Sequence, residues 1–190
     1  MAAVGADPSF QFYTDDEIAA FDNGLAGFNY MDNIFNSVAL QHTHELSVSG
    51  GNDKTKFLFS GSYNSDQGIV KSSWSDRVNY RLKVNTEIFK WLKTGVNFWG
   101  NYYKSQGPRF SQYRGVLIEA MTFHNTIEPR NDEGAYNNKT LLGPQYNPMG
   151  HIEQVRRDGY SHNSFLQGYV DIALAKGLTF RMLHGFSFGN

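Results

Sequence analysis

The 190 residues carry 17 lysines and arginines against 18 aspartates and glutamates, a formal net charge of −1. Near-neutrality and a sequence pI near 6.6 argue against electrostatic binding of nucleic acid or of an anionic membrane surface. The absence of cysteine excludes disulfides and thiolate metal sites. No apolar run reaches the roughly 18 residues of a membrane-crossing helix, and mean hydropathy is −0.49, which excludes a helical membrane protein. A strand-built one stays open, because alternation keeps the average low. The 15 Phe, 11 Tyr and 3 Trp, with 19 Gly against 5 Pro, favour it.

In chain order, residues 1–40 read as an irregular lead-in with some helix. Met1-Ala-Ala-Val-Gly5 lacks the basic start and apolar core of a signal peptide, so either the chain never crosses a membrane or its true N-terminus is missing. Thr14-Asp-Asp-Glu17 before Ile18 reads as a capping box opening a short helix that Asn23-Gly24 ends. From Gln41 onward the period is two. Strands are expected at His42–Gly50, Thr55–Tyr63, Arg77–Ile88, Leu92–Ser105, Tyr160–Leu174 and Leu178–Phe188. Arg77–Ile88 alternates without a break: Val78, Tyr80, Leu82, Val84, Thr86 and Ile88 share one face, and Arg77, Asn79, Arg81, Lys83, Asn85 and Glu87 the other. That is about twice the usual strand length in soluble proteins.

The connections alternate too: short at Asn52–Lys54, long at Asn64–Asp76, short at Phe89–Trp91, very long over 106–159, short at Ala175–Gly177. Tight turns on one side and long loops on the other mark an up-and-down membrane barrel. Tyr113, Leu117, Ala120 and Met121 put a short helix in the longest loop. From Trp91 to Tyr102 a strand tilted by about 45° rises roughly 26 Å, the height of the lipid-facing band between aromatic girdles. The expected fold is therefore all-β: six strands of an antiparallel transmembrane barrel over 41–190, after the lead-in. The alternative is a soluble β-sandwich that binds carbohydrate, with the apolar faces turned inward. Six strands are too few to close a membrane barrel, and lipid cannot satisfy an open edge, so the barrel reading makes the chain part of something larger.

A series of motifs resembles SusC/RagA-type TonB-dependent outer-membrane transporters. It comprises His44-Glu-Leu-Ser-Val-Ser-Gly-Gly-Asn-Asp-Lys-Thr-Lys56, Gly61-Ser-Tyr63 with Asp66-Gln-Gly-Ile-Val70, the Arg77, Arg81 and Asn85 strand, and Trp91-Leu-Lys-Thr-Gly-Val-Asn97. Asp132-Glu-Gly-Ala-Tyr136, Asn147-Pro-Met149 and Lys176-Gly-Leu-Thr-Phe-Arg181 continue it. Tyr13-Thr-Asp-Asp-Glu-Ile18 and Asp32-Asn-Ile-Phe35 echo it weakly; a Trp of the latter motif and a proline near Met121–Phe123 are missing. The resemblance implies a full protein with a signal peptide, an N-terminal extension, a plug and a barrel of about 22 strands. It would sit in the outer membrane of a Bacteroidetes-type bacterium and import glycans or oligopeptides under a SusD-like lipoprotein. Energy would come from the TonB–ExbB–ExbD complex, through parts outside this stretch.

No Ser/His/Asp order, Walker loop, dinucleotide fingerprint or zinc motif appears, so no enzyme, cofactor or metal is expected. His42 and His44 share a strand face without a third ligand. They and His124, His151, His162 and His184 read as solvated, loop-side histidines. Asp132-Glu133 and Asp15-Asp16-Glu17 read as a turn and a helix start, not as a hydrolase site. The candidate lumen-lining residues are Arg77, Arg81, Lys83, Asn85, Asn97 and Asn101. The cations among them are expected to be satisfied mainly by one another and by neighbouring acids. Trp74 and Trp99 are candidates for stacking on sugars, or are ordinary packing aromatics.

Overall fold

The computed structural model describes residues 15, 18–19, 27–110, 115–140 and 143–190. Most of the predicted capping box and helix near Thr14–Phe21, and the start of the helical pattern at Ser111–Arg114, lie outside them. The contacts divide the chain into two compact units.

The larger unit, Val38–Ile69, Ser73–Gln106 and Arg157–Asn190, is built on one antiparallel sheet. Its strands are β1 (Gln41–Gly51), β2 (Thr55–Gln67), β3 (Trp74–Phe89), β4 (Leu92–Gly107), β7 (Arg157–Ala175) and β8 (Leu178–Gly189), and they lie side by side in that order. All six expected strands are present, and most are longer than alternation showed. The 64–76 connection shrinks to Gly68–Ser73, because Asn64–Gln67 keep pairing with Trp74–Arg77. Apart from Trp74 those rungs are polar, so hydrophobic period carries no sign of them. At the β1–β2 turn the Asn52 carboxamide oxygen accepts from the backbone N–H of Lys54 (2.9 Å) and Thr55 (2.8 Å), which closes the turn locally. Gly177, at φ +82°, takes the left-handed position of the β7–β8 turn. The sheet is a single layer with apolar side chains exposed along one face, so the inward-facing core that a β-sandwich needs is not there.

The smaller unit comprises the described residues up to Ser37, Val70–Ser72 and Gly107–Arg156. It contains three short helices, α1 (Tyr30–Ile34), α2 (Val116–Thr122) and α3 (Pro148–Gln154), and a small ladder of β5 (Lys139–Thr140) with β6 (Gly143–Pro144). Tyr30, Ile34, Val70, Val116, Ala120, Phe123 and Ile152 form its core. Asn147 ties it together. The side-chain oxygen caps α3 by accepting from Met149 N (3.0 Å) and Gly150 N (3.4 Å), and the amide nitrogen donates to Pro129 O (3.0 Å) and Asn137 O (2.9 Å). Pro148 follows at the first helical turn, where a missing N–H costs nothing. The Asn147-Pro-Met motif is thus a buried helix start. Gly27 is needed for a close approach: a Cβ there would lie 2.3 Å from Asn125 O, which accepts from Phe28 N at 2.7 Å.

Candidate functional site

The register of the sheet sorts its side chains. Val48, Phe59, Leu82 and Phe98 form one rung across β1–β4, and on β7–β8 Leu166, Val170 and Ile172 pair with Phe186, Met182 and Phe180. These apolar side chains are not covered: Leu46 is 64% exposed and Phe186 60%. Towards the long-loop end the same face carries Tyr63, Val78 and Tyr102 in one rung. His42 and His44 stand beside Tyr63, their rings 5.2 Å apart. At the tight-turn end Phe89 and Trp91 stack at 5.5 Å. An exposed apolar band bounded by aromatic rows is the surface a barrel turns to lipid.

The opposite face is polar, and all six candidate lumen-lining residues lie on it. Arg77, Arg81, Lys83 and Asn85 run down β3; Asn97 and Asn101 face Lys83 and Asn79 from β4. Arg81 Nε donates to Asn97 Oδ1 at 3.2 Å, and the Arg77 guanidinium lies 5.2 Å from the Tyr103 ring centre. Glu45, in the rung of Ser62 and Asn79, is an acid on this face, but it makes no ion pair with the column. Among the described residues the sheet's ion pairs join Lys93 to Glu87 and Arg181 to Asp171, and none includes Arg77, Arg81 or Lys83. The expectation failed because acids adjacent in sequence to a strand residue point to the other face or are paired locally.

Aromatic side chains interrupt the polar face where alternation gave no warning. Trp99 on β4 and Phe165 on β7 stack, centroids 5.4 Å apart and planes 16° from parallel. Beside them Ser60, Ser62, Asn79 and Asn101 are short, which leaves an open hollow of about 310 Å³ that Arg81 and Glu45 also line. A second hollow, about 560 Å³, is lined by Lys83, Asn85, Asn97, Gln167, Tyr169 and Arg181.

Two glycines on β4 shape both faces. On the polar face Tyr169 reaches from β7 across Gly95 to Asn85 Oδ1 (3.1 Å), and a Cβ on Gly95 would meet its ring at 2.4 Å. On the apolar face Tyr80 reaches from β3 across Gly100, and its hydroxyl bonds His162 Nε2 (2.9 Å) and Ser164 Oγ. Each tyrosine ties three strands together and keeps its own hydroxyl satisfied.

The remaining sequence candidates are placed plainly. Asp132 and Glu133 sit in a turn held by Asn131 Oδ1, which accepts from Glu133 N (3.1 Å) and Ala135 N (2.8 Å). No cluster of three metal-ligating groups occurs among the described residues. His151 is not a solvated loop residue: it is buried in the small unit, where Nδ1 bonds Glu119 Oε2 and Nε2 accepts from Arg109 N at 3.3 Å. The second helix of the long connection, which holds His151, was not expected, because its apolar stretch is too short to show a period.

Two curated TonB-dependent receptors of Formosa agariphila match the sequence. One is 27% identical over 146 residues, 76% of this chain and 14% of the relative; the other is 27% identical over 177 residues, 88% and 17%. Among solved structures, that of the RagAB peptide importer in its closed-closed state superposes with a TM-score of 0.68 over 87% of this chain and 19% of the other, at 20% identity. A further RagAB peptide transporter structure gives 0.66 over 86% and 19%, again at 20% identity. The sheet has the fold of a segment of these barrel transporters. No family model matches the sequence. The chain spans less than a fifth of the length of each relative it matches. The resemblance read from the motifs therefore holds for recognition and fold. In this sheet, Trp91-Leu-Lys-Thr-Gly-Val-Asn97 is the β3–β4 turn and the start of β4, and Gly95 in that motif is the glycine under Tyr169.

Proposed function

We propose that the chain forms part of the wall of a TonB-dependent outer-membrane transporter in a Gram-negative, Bacteroidetes-type bacterium. Its apolar face lies against lipid and its polar face lines a water-filled lumen. The observation that carries this reading is the sheet itself: a broad apolar band exposed between aromatic rows, backed by a wet face of amides and cations. Further strands pair the outer edges of β1 and β8, since backbone groups facing lipid need partners. Arg77, Arg81, Lys83, Asn85, Asn97 and Asn101 contact the passing solute, a glycan or an oligopeptide. The likeness to RagAB supports a SusD-like lipoprotein as partner. Coupling to TonB–ExbB–ExbD takes place through other parts of the transporter. This stretch guides solute and carries out no reaction.

The test is fractionation of cells making the protein that contains this sequence. It should partition with the outer membrane and run faster on gels unheated than boiled, as closed barrels do. Recovery from the soluble periplasm, with no heat-dependent shift, would sink the reading.

A further inference from the structure

The three cations of β3 stand without carboxylate partners among the described residues, on a face where Lys93 and Arg181 are ion-paired. Lys83 enters the 560 Å³ hollow, whose lining contains no acid: besides Lys83 it has the amides of Asn85, Asn97 and Gln167, the Tyr169 phenol, the already paired Arg181, and Val96 and Leu183. One rung along, Arg81 faces Trp99, which stacks on Phe165 beside Asn79 and Asn101. Two rungs on one face are about 7 Å apart, so a flat aromatic surface adjoins an unneutralised ammonium.

We propose that these two hollows form one subsite for an acidic oligosaccharide, a chain of pyranose rings bearing carboxylate or sulfate groups. This rests on the polar face being lumenal, as argued above. The Trp99–Phe165 pair takes the C–H face of a sugar ring, whose hydrogens are slightly positive against the negative π face. Asn79 and Asn101 offer both donor and acceptor atoms for neighbouring hydroxyls. Lys83 binds the acid group, and Arg81, already held by Asn97, adds to the positive potential. A peptide fits less well. It has no pyranose C–H face for the Trp99–Phe165 pair, and strand addition is closed to it because the backbone groups of β3 and β4 are committed to the ladder on both sides. Glu45, across the first hollow, opposes an anion placed there, which puts the acid group at Lys83 and the ring at Trp99.

The experiment uses the whole transporter containing this sequence in detergent, with three probes of equal length: tri-galacturonate, maltotriose and tri-glutamate. Tri-galacturonate should bind about tenfold or more tighter than either of the others, the worth of one charge-assisted contact. Lys83→Gln should erase most of that preference, bringing tri-galacturonate affinity down to about that of maltotriose, whereas Trp99→Ala should weaken both sugars. Retention of the heat-dependent gel shift verifies that each variant is still a barrel; its absence in the parent protein would break the transporter reading and this proposal with it, whereas a retained shift without the binding preference overturns this proposal alone. Equal affinity for maltotriose and tri-galacturonate, or tri-glutamate binding as tightly as the acidic sugar, would overturn the proposal. So would a folded Lys83→Gln protein with its preference intact.

Discussion

The seven buried apolar side chains of the described residues, from Tyr30 to Ile152, all belong to the small unit, while the six-stranded sheet contributes none. Leu82, in the middle of the sheet's apolar face, is 41% exposed; Ile34, on a helix of five residues, is fully buried. Both regions are rich in Leu, Val, Ile and Phe. They differ in what receives those side chains. In the small unit other side chains do, and shape must match to within a methylene. On the sheet, by the function proposed above, it is lipid, which conforms to whatever it meets and asks only that no charge be presented. An apolar side chain is thus a packing statement in one region and a solvent statement in the other.

The largest effect should come from putting a charge on the lipid side. Leu82→Arg is expected to cost roughly 2–4 kcal/mol in reversible urea unfolding from vesicles, the penalty of a cation near the bilayer midplane. Ser47→Arg, on the polar face of β1, should cost almost nothing. Equal costs at the two sites would mean that both faces are wet, and the contrast between sheet and small unit would collapse.

Adding bulk sharpens the comparison from the other direction. Val116, fully buried in α2, should lose about 1–3 kcal/mol on change to Phe, read as faster amide hydrogen exchange over residues 116–123. Val48→Phe on the apolar face of β1, where the side chain is 48% exposed, should change urea stability by less than about 0.5 kcal/mol. A penalty at Val48 as large as that at Val116 would reveal a protein surface packed against that face in place of lipid.

The same division sets what the sequence discloses. A strand with one apolar and one polar face must alternate over its whole length, so Arg77–Ile88 and its polar face were legible from period alone, while the barrel needed the strand lengths, the alternating connections and the motif series as well. The ends of the strands were not, because there the apolar alternation stops and Asn64–Gln67 look like loop. Nor was the small unit. Its helices have five to seven residues, too few for a period, and its organising residue is a single buried amide, Asn147. In the candidate site, Arg77 to Asn101 could be placed on one face by counting, but the Trp99–Phe165 stack joins β4 to β7 across the longest connection. The crossings of Tyr169 over Gly95 and Tyr80 over Gly100 are equally nonlocal; a glycine in a strand pattern marks a close approach without saying by whom.

The smallest effect tests the buried side of the comparison through a proton. The Tyr30 hydroxyl donates to Ile127 O at 2.8 Å inside the small unit, and burial pushes its pKa from 10.0 up to about 12. A raised folded-state value means that the protonated phenol favours the fold. That contribution is whole below pH 10.0, where the unfolded phenol also keeps its proton, and drains away as pH rises towards 12. Tyr30→Phe should cost about 0.5–1.5 kcal/mol at neutral pH for the lost hydrogen bond. Its larger value is as a difference. Subtracting the ultraviolet titration of the variant from that of the parent should leave one phenol ionising near pH 12, not near pH 10. The parent's small unit should also lose more stability than the variant's between those values. A difference curve centred near pH 10 would place Tyr30 in water, and the packed core that distinguishes this unit from the sheet would have to be redrawn.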